Sequence, residues 1–319
     1  MINNKLVSAA KIHCHKQIYH YFHAKELRIS ILWVNMLLLP YIIDFVNLRK
    51  LISAYRLKLF GQKPKFEQVH LLGKEMMLYT GIINKKADKD DAWWYALSQR
   101  YEQIFDIGAN VGYSAILACI HNPDKSILLV DPNTDAIAVA KTNLEINGLG
   151  KNKQYINAFV SDSSGAHVKF FTLGTGSAGS MYSSHADSAG MVNAYSMVET
   201  MMLDDIVDMT GITPDLIKVD VEAAESFVLG GATKLATQQV SVFLIEMHGP
   251  EEMPMVKNAG LILEWCRTNS YKAYYMKDHV ELTSVEQIAH RGRCHLLLLP
   301  VNVAYPEYLN RINEGDEIE

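Results

Sequence analysis

The chain is poor in cysteine. Four occur in 319 residues, Cys14, Cys119, Cys266 and Cys294, and no two share a metal-binding or redox spacing. This excludes a disulfide framework and a cysteine metal centre. Cys119 and Cys294 fall in apolar runs, as buried thiols in a reducing compartment do. An unbroken apolar run is also missing. The richest window, residues 29–46, is interrupted by Asn35, Pro40 and Asp44. Lys25 and Arg28 precede it and Arg49 and Lys50 follow it, so it carries no positive-inside bias. It starts too late, and lacks the small-residue cleavage site, for an ordinary signal peptide. Positive charge is scarce beyond the first part of the chain. Residues 1–70 hold eleven Lys or Arg against three acids, and the remainder nineteen against thirty-two, for a net charge of −5. An acidic body argues against nucleic acid as substrate.

What is present is an ordinary globular composition, 49% hydrophobic and 20% charged, long enough to bury a full core. Residues 1–65 read as a basic, apolar helical segment. Phe45, Leu48, Ile52, Tyr55 and Leu59 recur at steps of three and four, with Arg49, Lys50, Arg56 and Lys58 largely off that stripe. Such a helix packs on the core or on a second copy of the chain, or lies on an anionic membrane face through residues 1–60. His13, His15, His20 and His23 match no defined metal spacing and read as a solvated face. The expected location is the cytoplasm, with peripheral contact at the inner membrane face. A domain over 66–305 and a polar tail over 306–319 follow, the tail frayed from Asn310 to Glu319.

That domain is organised around Phe105-Asp106-Ile107-Gly108-Ala109-Asn110-Val111-Gly112. An apolar strand end, a glycine turn and a helical run succeed one another. Gly108 and Gly112 permit positive φ and remove Cβ atoms from the path of a ligand. The dinucleotide fingerprint requires a third glycine. Here it is missing, and Asp106 stands where a pyrophosphate would be repelled. A ligand with a cationic amino-acid end, such as S-adenosylmethionine, suits the turn better. A purely structural turn with Asn110 as helix N-cap is the plainer alternative.

Later landmarks favour the nucleotide. Strand 126–130 ends in Asp131-Pro132, nineteen residues past Gly112, where a carboxylate takes ribose hydroxyls in Rossmann-like folds. A third strand over 155–160 places Asn157 and Ala158 in the usual region for adenine contacts. A Gly/Ser-rich loop begins at Gly174 and runs to about Ser196, long enough to be a binding loop. Strand 215–221 runs into Asp220, Glu222 and Glu225, three carboxylates that need a use or a partner, with Lys218 a candidate partner. The fifth strand ends in Glu246-Met247-His248.

Together, Asp106–Gly112, Asp131-Pro132, Leu203-Asp204-Asp205 and the run from Lys218 to Glu225 resemble the FkbM family of S-adenosylmethionine-dependent methyltransferases over about residues 100–300. Two residues depart from the family's pattern. Ala223 stands at a usual glycine and Asp131 at a usual glutamate. The resemblance implies an α/β class I methyltransferase fold: a mixed seven-stranded sheet, a terminal antiparallel hairpin and helices on both faces. It also implies O-methylation of a sugar, polyketide or lipid-like hydroxyl.

On this reading Gly108, Asn110 and Gly112 shape the methionine turn, with Asp106 at its base. Asp131 takes the ribose, and Asn157 and Ala158 the adenine. Glu222 or His248 is the base; Asp220, Glu222 and Glu246 could hold a metal between them, but the pattern does not require one. The competing readings are a nicotinamide-dependent oxidoreductase and a non-catalytic methyltransferase-like binding module.

Overall fold

The computed structural model describes residues 65–83, 90–174 and 179–318. The expectations for residues 1–64, including the membrane contact and the second-copy contact, lie outside these. Among the described residues, no helix is long and apolar enough to cross a membrane.

The described chain opens with a hairpin, β1 (Phe66–Leu71) and β2 (Lys74–Tyr79), turned by Leu72 and Gly73, both at positive φ. Helix α1 (Asp91–Ser98) leads into the main unit, where strands and helices alternate: β3 (Gln103–Ile107), α2 (Tyr113–Cys119), β4 (Ser126–Val130), α3 (Thr134–Ile146) and β5 (Lys153–Ile156). Next come β6 (Phe159–Val160), β7 (His167–Phe171), the short α4 (Asp187–Met191), β8 (Tyr195–Met201) and α5 (Leu203–Thr210). The chain then forms β9 (Leu216–Val219), α6 (Glu225–Gly230), α7 (Thr233–Ala236), β10 (Val242–His248), α8 (Met255–Thr268), β11 (Tyr271–Tyr275), β12 (Val280–Glu281) and β13 (Arg293–Pro300).

The central sheet has the order β12-β11-β13-β10-β9-β3-β4-β5. Strands β10, β9, β3, β4 and β5 run parallel, and β13 enters antiparallel between β10 and β11. This is the class I methyltransferase arrangement, with β12 as an eighth strand added at one edge. The expected third strand divides at Asn157. Lys153–Ile156 stays in the main sheet, whereas Phe159–Val160 joins a separate three-stranded sheet, β6-β8-β7.

The core divides by strand parity, because alternate side chains point to opposite faces. Phe105, Ile107, Leu128, Val130, Ile217, Val219, Phe243 and Ile245 meet α5, α6, α7 and α8 on one face. Ile104, Ile127, Leu129, Leu216 and Leu244 meet α1, α2 and α3 on the other. Leu97 of α1 is fully buried in that second layer, which is worth roughly 1.5–3 kcal/mol. Buried Asn143 of α3 ties the hairpin to the glycine turn. Its Oδ1 accepts from the Tyr79 N–H at 2.9 Å and its Nδ2 donates to the Val111 carbonyl at 2.8 Å.

The start of the tail carries structure that its polarity did not suggest. Residues Glu307–Arg311 form a 3-10 helix with Leu309 buried, and Trp93 Nε1 donates to the Ile312 carbonyl at 2.8 Å. Apolar packing and this bond outweigh the entropy of a short polar segment.

Candidate active site

Going outward from β3, the connections run one way to β4 and β5 and the other way to β9 and β10. In open α/β sheets, ligands bind outside the carboxyl ends of the strands at such a switch point. Here the same parity that builds the core lines up polar residues on the face of α1 and α2. Asp106 and Lys218 are register partners on adjacent strands, as are Glu246 and His295. Asp131, Asp220 and His248 fall at the same parity where their strands end.

Two cavities meet there and share Gly108, Asn110 and Asp220. One is walled by Ile107, Val130, Pro132, Ala158, Phe159, Val160, Phe170 and Val221, with Asp131, Asp220 and Glu222 as its acidic groups. The other, about 460 Å³, is polar and is lined by Asp90, Ser114, Lys218, Asp220 and Glu246 with the Gly108–Val111 turn.

Asp131 spans the two turns. Its Oδ1 accepts from the Asn133 N–H at 2.7 Å and its Oδ2 from the Asn110 N–H at 2.8 Å. Each oxygen keeps a further lone pair. Burial pushes the carboxyl up to about 6, against the two backbone donors that favour its charge. Ala158 lines the apolar cavity. Asn157 does not. It is exposed, donates to the Asp131 carbonyl at 2.8 Å and accepts from Thr134 Oγ1 at 3.0 Å, bracing the start of α3.

Asp106 is buried beneath the turn rather than on a cavity wall, because its strand position points it under α2. Its Oδ2 accepts from Ser114 Oγ at 2.5 Å, and Ser114 reaches the polar cavity. Burial raises the Asp106 carboxyl, opposed by Lys218 and Ser114. Lys218 lies 3.1 Å from Asp220 and 3.3 Å from Asp90. Burial opposes its charge, but Asp220 and Asp90 hold the ammonium well above the usual lysine range.

The glycines have a purpose the sequence did not indicate. At Gly108, φ is +87° and a Cβ would fall 1.8 Å from the Asp220 carbonyl oxygen. At Gly112, φ is +84° and a Cβ would fall 2.9 Å from that of Ala140. Both absent side chains admit neighbouring protein first. Gly112, not Asn110, is the N-cap of α2, and Asn110 itself sits at φ 45°.

Past β9 the backbone is strained. Glu222 and Ala223 stand consecutively at φ 53° and 80°. The Glu222 carbonyl accepts from Ser180 Oγ at 2.9 Å, and the Ala223 N–H donates to Glu225 Oε1 at 2.9 Å. Ala223 thus occupies a left-handed position that glycine adopts without a Cβ clash. Ala223→Gly relieves roughly 1–2 kcal/mol of that clash and loses roughly 0.5–1 kcal/mol to the freer unfolded chain. The expected result is a melting point higher by about 1–3 °C, read by calorimetry. A lower melting point would mean that the alanine methyl's packing outweighs the strain.

Around Glu222 two imidazoles converge. His185 Nε2 is 2.6 Å and His248 Nε2 3.4 Å from Glu222 Oε2. His248 Nδ1 is 3.3 Å from Glu225 Oε1, and its Nε2 3.5 Å from Glu246 Oε1. Burial alone would strip the His248 proton. The carboxylates of Glu225, Glu246 and Glu222 outweigh it and lift the group to about 11. Of the two candidate bases, Glu222 lines the cavity beside Asp131 and His248 does not. Sequence reasoning missed His185. The only signal was that the glycine-rich loop contains a single histidine, and loops carry function disproportionately.

The donor set is one of acceptors. Asp106 Oδ1 and Asn110 Oδ1 are buried without a hydrogen-bond partner among the described residues, and Asp131 and Asp220 line the cavities. Such a set fits an ammonium and ribose hydroxyls, and would repel a pyrophosphate. The apolar walls beyond Asp131 fit a flat base.

Residues 106–273, more than half of the chain, match the family model of the methyltransferase FkbM domain. Among solved structures, the chain is similar to an FkbM methyltransferase from Methylobacillus flagellatus KT. Identity is 14% and the TM-score 0.40, covering 69% of this chain and 45% of that one. It thus spans less than half the length of that protein. It is also similar to a putative O-methyltransferase from Klebsiella pneumoniae, at 14% identity and a TM-score of 0.41, covering 85% and 95%. No curated protein matches.

Proposed function

The chain belongs to the FkbM methyltransferase family, with S-adenosylmethionine as methyl donor, and from that premise we propose that it methylates a hydroxyl of a sugar, polyketide or lipid-like acceptor. The observation that carries the oxygen chemistry is Glu222, a carboxylate on the cavity wall with His185 2.6 Å away on the loop side. A hydroxyl needs its proton removed as the new bond forms, and a positioned base contributes typically 10²–10⁴-fold.

The bound donor supplies an electrophilic methyl group on a sulfonium. The protein's own residues do the rest. Asp131 would accept hydrogen bonds from the ribose hydroxyls. Asn110 and Asp220, shared by both cavities, would hold the amino-acid end, with Asp106 acting through Ser114. Pro132, Ala158 and Phe159, on the apolar wall, would take the base and exclude water. Glu222 takes the acceptor proton, and His185 orients the carboxylate. Alignment of acceptor oxygen and methyl supplies the larger share of the barrier reduction.

The test is transfer of an isotopically labelled methyl group from S-adenosylmethionine to a panel of sugar, polyketide and lipid hydroxyls, with products identified by NMR. An O-methyl ether supports the reading. Exclusive N- or C-methylation, or no transfer across the panel, overturns it.

A pH dependence follows from Asp131. The ionised carboxylate is the form that accepts two hydroxyls, and its fraction falls as pH drops through about 6. S-adenosylhomocysteine affinity is therefore expected to be flat above pH 7 and to weaken by about tenfold at pH 5. Calorimetric titration across that range checks it. Asp131→Asn should bind weakly with little pH dependence, whereas an unchanged slope would assign the effect to another group.

A further inference from the structure

His185, Glu222 and His248 reach one point from three separate parts of the chain: the loop before α4, the segment after β9, and the end of β10. Their ligand atoms lie within 4.8 Å of one another. We propose that these three side chains form a binding site for one divalent transition-metal ion of the zinc type.

The donor chemistry is two imidazole nitrogens and one carboxylate oxygen. Imidazole suits zinc and its neighbours, whereas calcium and magnesium call for oxygen throughout. Three protein ligands leave a fourth position for water or a ligand. The spacing is close to what an ion requires. Bonds of about 2.0 Å in tetrahedral geometry separate ligand atoms by roughly 3.3 Å. His248 already stands 3.4 Å from Glu222 Oε2. His185, at 2.6 Å, needs to open by several tenths of an ångström, which a side chain on a partly exposed loop can do.

The surroundings are those of a supported metal ligand. His248 turns Nδ1 toward the fully buried Glu225 and Nε2 toward Glu222, and an ion binding at Nε2 would displace its proton. Glu225 is itself fixed by Asn258 Nδ2 at 2.6 Å and by the Ala223 N–H. A carboxylate behind a histidine in this way sets the tautomer and orientation of the ligand. Ser180 holds the Glu222 backbone in its left-handed conformation, and that conformation aims the carboxylate at both rings.

Two other clusters look similar and differ in one respect. Asp90, Glu246 and His295 converge, but Lys218 is 3.3 Å from Asp90 and Arg293 2.9 Å from Glu246. Asp220, Glu246 and His248 include a carboxylate paired to Lys218. In both, a fixed cation already supplies the charge an ion would bring. Glu222 instead faces two imidazoles, each of which can exchange a proton for an ion and become its ligand. The metal site does not depend on the identity of the acceptor, and it stands or falls by binding alone.

The experiment uses the full chain and zinc as probe, by competition with a chromogenic chelator, and Co²⁺ absorption to report the ligand geometry. The chain also carries His13, His15, His20 and His23, so a variant with these four changed to alanine is titrated in parallel. Expected are one equivalent of zinc bound by parent and by that variant, and affinity at least tenfold weaker in His185→Ala and in His248→Gln. Intense cobalt bands should be lost in the same two variants. Melting of metal-free His185→Ala within about 2 °C of the parent separates loss of the site from loss of the fold. Absence of stoichiometric binding in the parent overturns the proposal. So does binding that survives His185→Ala, or that disappears with the four N-terminal histidines.

Discussion

Glu222→Gln is expected to lower the rate of methyl transfer by about 10²–10⁴-fold while S-adenosylhomocysteine still binds within about threefold of the parent. The amide keeps the volume of the side chain, and the Ser180 bond to the Glu222 backbone carbonyl is untouched. What disappears is the negative charge facing His185 and His248 and the capacity to accept a proton. Asp131 and the glycine turn, to which the cofactor contacts are assigned, are on other strands and stay in place. The measurement is kcat at saturating donor, beside a calorimetric Kd for the product cofactor. A fall in affinity as large as the fall in rate would make Glu222 part of the cofactor pocket. An unchanged rate would remove it from the chemistry. Run with and without zinc, the same variant separates two roles: a rate loss confined to the zinc-loaded protein belongs to the ion, and one present in both belongs to the carboxylate.

The second large effect is on stability. Gly108→Ala places a Cβ 1.8 Å from the Asp220 carbonyl oxygen and 2.7 Å from its carbon, at φ +87°. These are backbone atoms of the adjacent strand end and cannot rotate away as a side-chain tip can. Either β3 and β9 part at their ends, breaking the 2.9 Å bond from the Asp220 N–H to the Ile107 carbonyl, or the turn rearranges. Overpacking costs typically 1–3 kcal/mol, and left-handed strain adds roughly 1–2 kcal/mol. The expected loss is about 4 kcal/mol, seen as a lower urea midpoint at an unchanged slope. Because Gly108 borders both cavities, the variant should also lose cofactor affinity. A loss below about 1 kcal/mol would show that the turn relaxes freely and that the close approach is incidental.

Much of this site was readable before any coordinates. Strand-end acids are conspicuous because apolar runs such as those of β4 and β9 stop abruptly at them, and charge at the end of a buried strand is costly without a use. The alternating βα pattern then puts those ends together by topology. Three things were not readable. The hairpin β1-β2 and strand β8 are half exposed, so their alternation depends on partners distant in sequence. The space left by Gly108 and Gly112 is filled by Asp220 and Ala140, and proximity of that kind is tertiary. His185 acquires significance only because its loop folds back over β9 and β10. Asn157 is the converse: its position in the chain suggested the adenine, but its amide braces a helix.

The place of β13 has a consequence for how the protein is made. Its strand is the last of the sheet to be synthesised, yet it lies in the interior, between β10 and β11. Until residues 293–300 have left the ribosome, both neighbours present open hydrogen-bonding edges flanking a gap one strand wide. A nascent or C-terminally clipped chain would therefore be vulnerable to capture by any extended peptide, including the same strand from another copy, and its safe maturation depends on the final segment arriving before a competitor does.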